Sequence, residues 1–332
     1  MKEVFGEISF ATRRGVLSAI AKTALASVGG ATALAGCGGG GGGGDDGGSG
    51  GGGGGGGSNG PTGLIVAKSI NDLSVYNVSN GSVAAYPASS NSIRVGVGAS
   101  RAGVVGDVAN DSGSGQWEIV LLDAKTGADI RRIVIDRPFA LVNSAVAVNA
   151  DATRIAFSIN EPNSESDNTR VDRTLVAELA TLNATRLEGV TDPVFMGSEL
   201  LVRNGDRLRV VNAKLDDQGD LGVTVAARIG AASPSSDGRY IAYEREEQIW
   251  VLDRTTNQTW AATSAVLRKF APAFSPDGRH LAMLGGSGNA GTYVHVIAFT
   301  PNATVAVSES NIVRDPTGSA IQASGRIVWI DA

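Results

Sequence analysis

The pattern of apolar and polar positions divides the chain near residue 60. Beyond it, short apolar runs alternate with clusters of Gly, Asp, Asn, Ser and Pro, and the spacing of an amphipathic helix is absent. Runs such as IVLLD (119–123), RYIAY (239–243) and IWVLD (249–253) are rich in β-branched, aromatic and aliphatic residues and are bounded by turn formers. They predict strands, so this part of the chain reads as all-β.

The pattern also repeats. VAVNADATRIAF (146–157), ASPSSDGRYIAY (232–243) and PAFSPDGRHLAM (272–283) align on Asp151, Asp237 and Asp277, which are 86 and then 40 residues apart. A second motif, an apolar strand ending in a polar turn, recurs near Asn77, Asp123, Leu179, Asn212, Asp253 and Ala298, so that five steps cover 221 residues. A period in the forties built from short β-runs is the signature of a propeller, in which each repeat forms one blade of about four strands. Six copies predict a six-bladed β-propeller over residues 61–332. In SPDGR, Pro276 presets one turn position and Gly278 can take positive φ, as can Gly238 in the sister repeat. The turn at Asp151 reads DAT, so that blade must either tolerate strain or use another turn. Blade one has LIVAK, LSVYNV and SVAAYP but no strand ahead of them. The final segment, GRIVWIDA (325–332), is expected to supply that strand and close the ring.

The SPDGR-L-A segment at 275–282, with the D-x-x-T strand end that begins at Asp253, resembles the repeat of TolB-like β-propellers, relatives of the WD40-like repeats. The resemblance is sharp in the blades of Asp237 and Asp277 and degenerate elsewhere, and it implies the same six-bladed ring. TolB-like proteins carry an α/β domain ahead of the propeller, where this chain has polyglycine. Their partnerships are therefore not carried over.

The first 60 residues follow different rules. A charged start is followed by a weakly apolar run that Lys22 and the Gly29–Gly30 pair interrupt before about 20 apolar residues accumulate, which is the layout of a cleaved export signal and not of a membrane span. Leu34-Ala35-Gly36-Cys37 resembles the lipobox of bacterial lipoproteins, which implies cleavage after residue 36 and a diacylglycerol on the sulfur of Cys37, the chain's single cysteine. Arg13-Arg14, followed by Gly15, Val16 and Leu17, resembles a twin-arginine signal, although Val16 stands where that pattern prefers Phe. Residues 38–60 are almost all glycine, with nothing to bury, and are expected to form a disordered tether of roughly 25 to 30 Å root-mean-square reach. GGSGG around Ser49 fits the G-x-S-x-G hydrolase elbow only formally, for it has neither the strand before it nor the helix after it.

Charge and chemistry narrow the function. The chain has 28 basic and 33 acidic residues, and without the signal 24 and 31 remain. An acidic mature protein is poorly suited to binding nucleic acid through charge. The two histidines cannot build a multi-histidine metal site: His280 occupies a variable polar position after SPDGR, and His295 faces away from Val294 and Val296 in an alternating strand. LDDQGD (215–220) lacks the terminal Glu of a calcium loop and reads as a solvated acidic loop, and GGSGN (285–289) as a loop between strands. No catalytic residue, metal ligand or cofactor motif stands out. The sequence favours a non-catalytic binding or scaffolding module for a protein or glycan partner, held by lipid in the bacterial envelope, with the outer membrane favoured because residue 38 is Gly and not Asp. The alternative is a metal-dependent envelope hydrolase, lactonase or lyase that uses carboxylates gathered in the propeller channel.

Because one acyl chain gives only marginal membrane binding and two give stable anchoring, Cys37→Ser should move the protein from the membrane fraction to the soluble fraction. Continued sedimentation of the variant with membranes would refute the anchor.

Overall fold

Away from the outer edges, the strands of the repeat carry more apolar residues than one buried face can use, and the fold buries both faces. In β1 (Leu64–Lys68), Leu64 and Val66 pack towards one neighbouring blade while Ile65 and Ala67 pack towards the other. Further along, Ile249 and Val251 pack with Leu281 and Met283 of the next blade, while Leu252 packs with Leu201 and Val210 of the preceding one. This two-sided burial explains why the strands read as near-continuous apolar runs. Among the described residues the core consists of six such clusters, one at each blade interface.

The computed structural model describes residues 61–68, 72–87, 98–100, 102–110, 117–135, 141–164, 167–227, 230–286 and 292–331. Arg13, Arg14, Leu34, Ala35, Gly36 and Cys37 lie outside them. Blade one contains β1, β2 (Asp72–Asn77) and β3 (Val83–Pro87), and blade two β4 (Gly98–Ala99), β5 (Val104–Asn110), β6 (Trp117–Asp123) and β7 (Asp129–Ile135). In blade three, β8 (Leu141–Val142) and β9 (Ala147–Val148) both pair with β10 (Arg154–Ser164) as a broken inner strand, followed by β11 (Asp167–Glu178) and β12 (Ala184–Glu188). Blade four is β13 (Thr191–Met196), β14 (Glu199–Asn204), β15 (Arg207–Val211) and β16 (Asp217–Thr224). Blade five is β17 (Ala232–Pro234), β18 (Tyr240–Arg245), β19 (Gln248–Asp253) and β20 (Gln258–Ala261). Two short strands, β21 (Thr263–Ser264) and β25 (Val305–Ala306), pair in parallel and tie blade five to blade six.

Blade six has three regular strands, β22 (Lys269–Phe274), β23 (His280–Gly286) and β24 (Thr292–Ala298). Its outer edge is covered by an irregular return: Val313 N–H donates to the Val294 carbonyl, Val294 N–H to Ile321, and Ala323 N–H to Thr292. The last strand, β26 (Ser324–Ile330), pairs antiparallel with β1 from Leu64↔Ile330 to Ala67↔Ile327 and becomes the inner strand of blade one. The Trp329 indole N–H donates to the Thr62 carbonyl at 2.8 Å. The inner strands β26, β4, β9, β13, β17 and β22 each touch the next, and β22 touches β26 again, so the ring is closed. This is the six-bladed all-β propeller that the repeat predicts.

The repeat motifs are turns, and their polar side chains satisfy backbone groups. Ser235 Oγ accepts the N–H of Tyr240 and donates to Asp237, whose carboxylate accepts the N–H of Arg239; Ser275, Asp277, Arg279 and His280 repeat the arrangement. In blade three Asn149 accepts the N–H of Arg154, and Asp151 accepts the hydroxyl of Thr153. Pro276 lies beside Asp277 in this turn, and Gly238 and Gly278 have φ of +71° and +69°. In the DAT turn the equivalent Ala152 takes φ +55°, so this blade keeps the turn and accepts the strain. The D-x-x-T strand ends work similarly. Asp253 accepts the Thr255 N–H and a fork from Arg239, which, chief among its interactions, holds its carboxyl down to about 2.

Two sequence expectations need correction. Gly285 and Gly286 of GGSGN are not loop but the end of β23, paired with Tyr293 and Thr292, and residues 287–289 lie outside the described residues. Residues 217–220 of the acidic LDDQGD cluster are not loop but the start of β16, where Asp220 pairs with Arg207 at 2.9 Å and Asp217 with Arg209. Arginines on the adjacent strand supply the counter-charge that makes an acidic strand acceptable.

An L-residue in the left-handed region costs about 1–2 kcal/mol, and glycine's greater unfolded-state freedom takes back about 0.4–1 kcal/mol of that. Ala152→Gly should therefore raise Tm by about 2 °C in differential scanning calorimetry. A lower Tm would show that the packing of the Ala152 methyl against the core outweighs its strain.

Candidate functional site

The six inner strands leave a central cavity of about 230 Å³. Its wall comes from the ends of these strands and from the turns that follow them, including Ser100, Ala150, Gly197, Ser233, Ser236 and Pro276. Small residues and turn backbone share this wall with Phe195, Met196, Phe274 and Trp329. The repeat serines Ser235 and Ser275 also reach it, but their hydroxyls are committed to the turns.

At the other end of the inner strands the wall includes one charged side chain, Arg326 of the closing strand. It is 3% exposed and crosses the ring to blade four, directly opposite. There its guanidinium lies 3.9 Å from the carboxylate of Asp192 and donates at 3.4 Å to the carbonyls of Pro193 and Ala232. The Asp192 carboxylate accepts the Gly230 N–H at 2.9 Å, and its backbone takes φ +52°. Burial pushes the Asp192 carboxyl up from its ordinary value, while Arg326, Arg203 and the surrounding N–H groups pull it back. Burial also draws the guanidinium down, but an arginine remains charged in proteins. The result is an ion pair spanning the channel, with one partner from the chain's last strand and the other from the middle of the sequence.

The residues singled out in the sequence occupy different places. Asp151, Asp237, Gly238, Pro276, Asp277 and Gly278 sit in the turns between inner and second strands, around the mouth, and hold its backbone in shape. His280 begins β23 with its ring 6.2 Å from that of Trp329. His295 is buried in β24, on the far side of blade six from the channel cavity. No three His, Cys, Asp or Glu side chains gather among the described residues. Arg326 and Asp192 carry no motif. Arg326 stands in GRIVWIDA and Asp192 in VTDPVF, and nothing in either stretch shows that the two meet.

No protein-family model matches this sequence, and no curated protein is found similar to it. The likeness lies in structure. The chain is similar to TolB from Acinetobacter baumannii with a TM-score of 0.59 and 16% identity, covering 80% of this chain and 66% of that one. It therefore spans about two-thirds of that protein's length. A manganese-bound oligogalacturonate lyase gives a TM-score of 0.46 at 13% identity, covering 68% and 67% of the two chains. The β-propeller domain of Cps50 (Swd1) from Myceliophteria thermophila gives 0.46 at 14%, covering 75% and 90%. At such identities the likeness concerns the fold. No helix among the described residues is long and apolar enough to cross a membrane.

Removing one partner of a buried ion pair typically costs about 3–5 kcal/mol, because the other is left uncompensated. Asp192→Asn keeps the acceptor for Gly230 and suits the left-handed backbone, so it tests the charge alone. It should lower stability by a few kcal/mol in urea denaturation, and adding Arg326→Met should restore most of the loss. Parent-like stability of Asp192→Asn would remove the pair from any structural role.

Proposed function

We propose that this chain is a non-catalytic binding propeller of the bacterial envelope that recognises a macromolecular partner, protein or glycan, on the face where the inner-strand turns surround the channel mouth. The size of the cavity carries the reading. Pockets that enclose small-molecule substrates run to roughly 300–1,000 Å³, and about 230 Å³ walled by small turn residues together with Phe195, Met196, Phe274 and Trp329 accommodates a protruding side chain or a single sugar more readily than a whole substrate. Turn backbone around the rim, with Ser233 beside it, offers donors and acceptors without the acids or histidines of general acid–base chemistry. The TolB-like fold supports a binding or scaffolding role in the same way. Lipid on Cys37 and the glycine-rich segment after it would hold this face within reach of envelope partners, with export by the twin-arginine route and an outer-membrane address following from the sequence.

A photo-cross-linking residue at Ser236, beside the mouth, should give a discrete adduct in intact cells, whereas one at Thr259 on the outer strand β20 should not. Ser233→Trp, which fills the cavity, should abolish the adduct, and purified peptidoglycan sacculi should retain the protein instead if the partner is glycan. Equal labelling from both positions together with no retention on sacculi would sink the proposal.

A further inference from the structure

A second cavity, of about 560 Å³, lies beside blade six and shares no wall residue with the channel. It is bounded by Val266 and Leu267 of the connection into β22, by Lys269 at the start of that strand, by Gly285 and His295 on the adjoining strands, and by the irregular return over the outer edge. Its volume falls within the range of small-molecule sites.

Its interior is chemically unbalanced. Lys269 is 3% exposed, and among the described residues its ammonium makes no hydrogen bond or ion pair. His295 is 5% exposed, and its Nδ1 has no hydrogen-bond partner. The two side chains converge over Gly285, where an added Cβ would stand 2.6 Å from Lys269 Nζ and 2.9 Å from His295 Nε2. A glycine here is what lets both ends into the same space. Burial, and then the charge of Lys269, hold the imidazole down to about 4, so it is neutral at pH 7 and leaves the ammonium uncompensated. Burial also lowers Lys269 itself. At the rim stand Glu309 and Arg314, both exposed and of opposite sign, and no ion pair joins Glu309 to Lys269 among the described residues.

A buried cation without an internal counter-charge is costly, and the other buried amine shows the usual remedy: Lys68 is paired with Asp107 at 2.6 Å. At Lys269 the place of the carboxylate is open cavity. The remaining wall is largely apolar, with Val266 fully exposed and Leu267 partly so, alongside Val307 and Ile312. We infer that this cavity binds a small organic acid, whose carboxylate takes the position of the missing counter-ion on Lys269 beside His295, and whose apolar body lies against Val266, Leu267 and Ile312.

The chain has two histidines, so imidazole NMR of the full-length protein gives an assignable probe. Phenylacetate should produce a saturable shift at His295 and none at His280, while phenylacetamide, which lacks the charge, should not. A charge-assisted hydrogen bond is worth about 1.5–3 kcal/mol, so Lys269→Met should weaken phenylacetate by about tenfold or more. The same variant should keep or raise Tm, because it removes a buried charge that has no partner among the described residues. Gly285→Ala, which crowds both nitrogen atoms, should also weaken binding. Four results would overturn the inference: no shift at His295, equal shifts from acid and amide, unchanged binding in Lys269→Met, or a clear fall in its Tm, which would reveal an internal partner. Phosphate or chloride reproducing the shift at the same concentration would reduce the site to one for simple anions and would likewise overturn it.

Discussion

A blade with two apolar faces can cover them only with other blades. Packing each sheet against its neighbours solves the problem for all but the first and last, and those two are solved together when β26 pairs with β1 and the sixth interface fills with Ile65, Leu284, Ile327 and Trp329. Everything else in the molecule inherits from this closure. It sets the blade number, brings the inner strands to a common centre, and carries Arg326 from the far end of the chain into that centre.

The centre and the edge of blade six manage buried charge in different ways. In the channel, Arg326 finds the Asp192 carboxylate and the carbonyls of Pro193 and Ala232, which compensates the guanidinium and fastens blade one to blade four across the hole. Lys68 and Asp107 do the same between blades one and two. At Lys269 the same device is half built. The contrast is informative because all three side chains are similarly buried, yet only Arg326 and Lys68 have a counter-charge among the described residues.

How much of this was legible in the sequence depends on the range of the interaction. The strand ends at Asn77, Asp123 and Asp253 and the turns at Asp151, Asp237 and Asp277 are local, since a carboxylate or hydroxyl serves N–H groups two to five residues away, and such spacing survives in the text of the chain. GRIVWIDA could be placed because an unpaired strand and a missing strand leave one solution. Arg326 with Asp192, and Lys269 with His295, join positions that share no motif, and only the ring's geometry decides that they meet. The acidic LDDQGD was misread for the same reason: its arginine partners lie across a strand, at Arg207 and Arg209. Blade six also departs from regular four-stranded form, for its outer edge is served by residues 311–323 in a path that no periodicity announces.

The closing seam also bears on time. The indole of Trp329 reaches a carbonyl 267 residues away, at Thr62. Bringing together ends so distant carries a loop-closure entropy of about 5 kcal/mol, and contacts of long sequence separation slow folding. The sixth interface cannot form until β26 has been synthesised, so a nascent chain exposes one face of blade one, and later one of blade six, until that strand arrives. Anything that handles the unfinished chain must either wait for β26 or keep those two faces from other partners until it arrives.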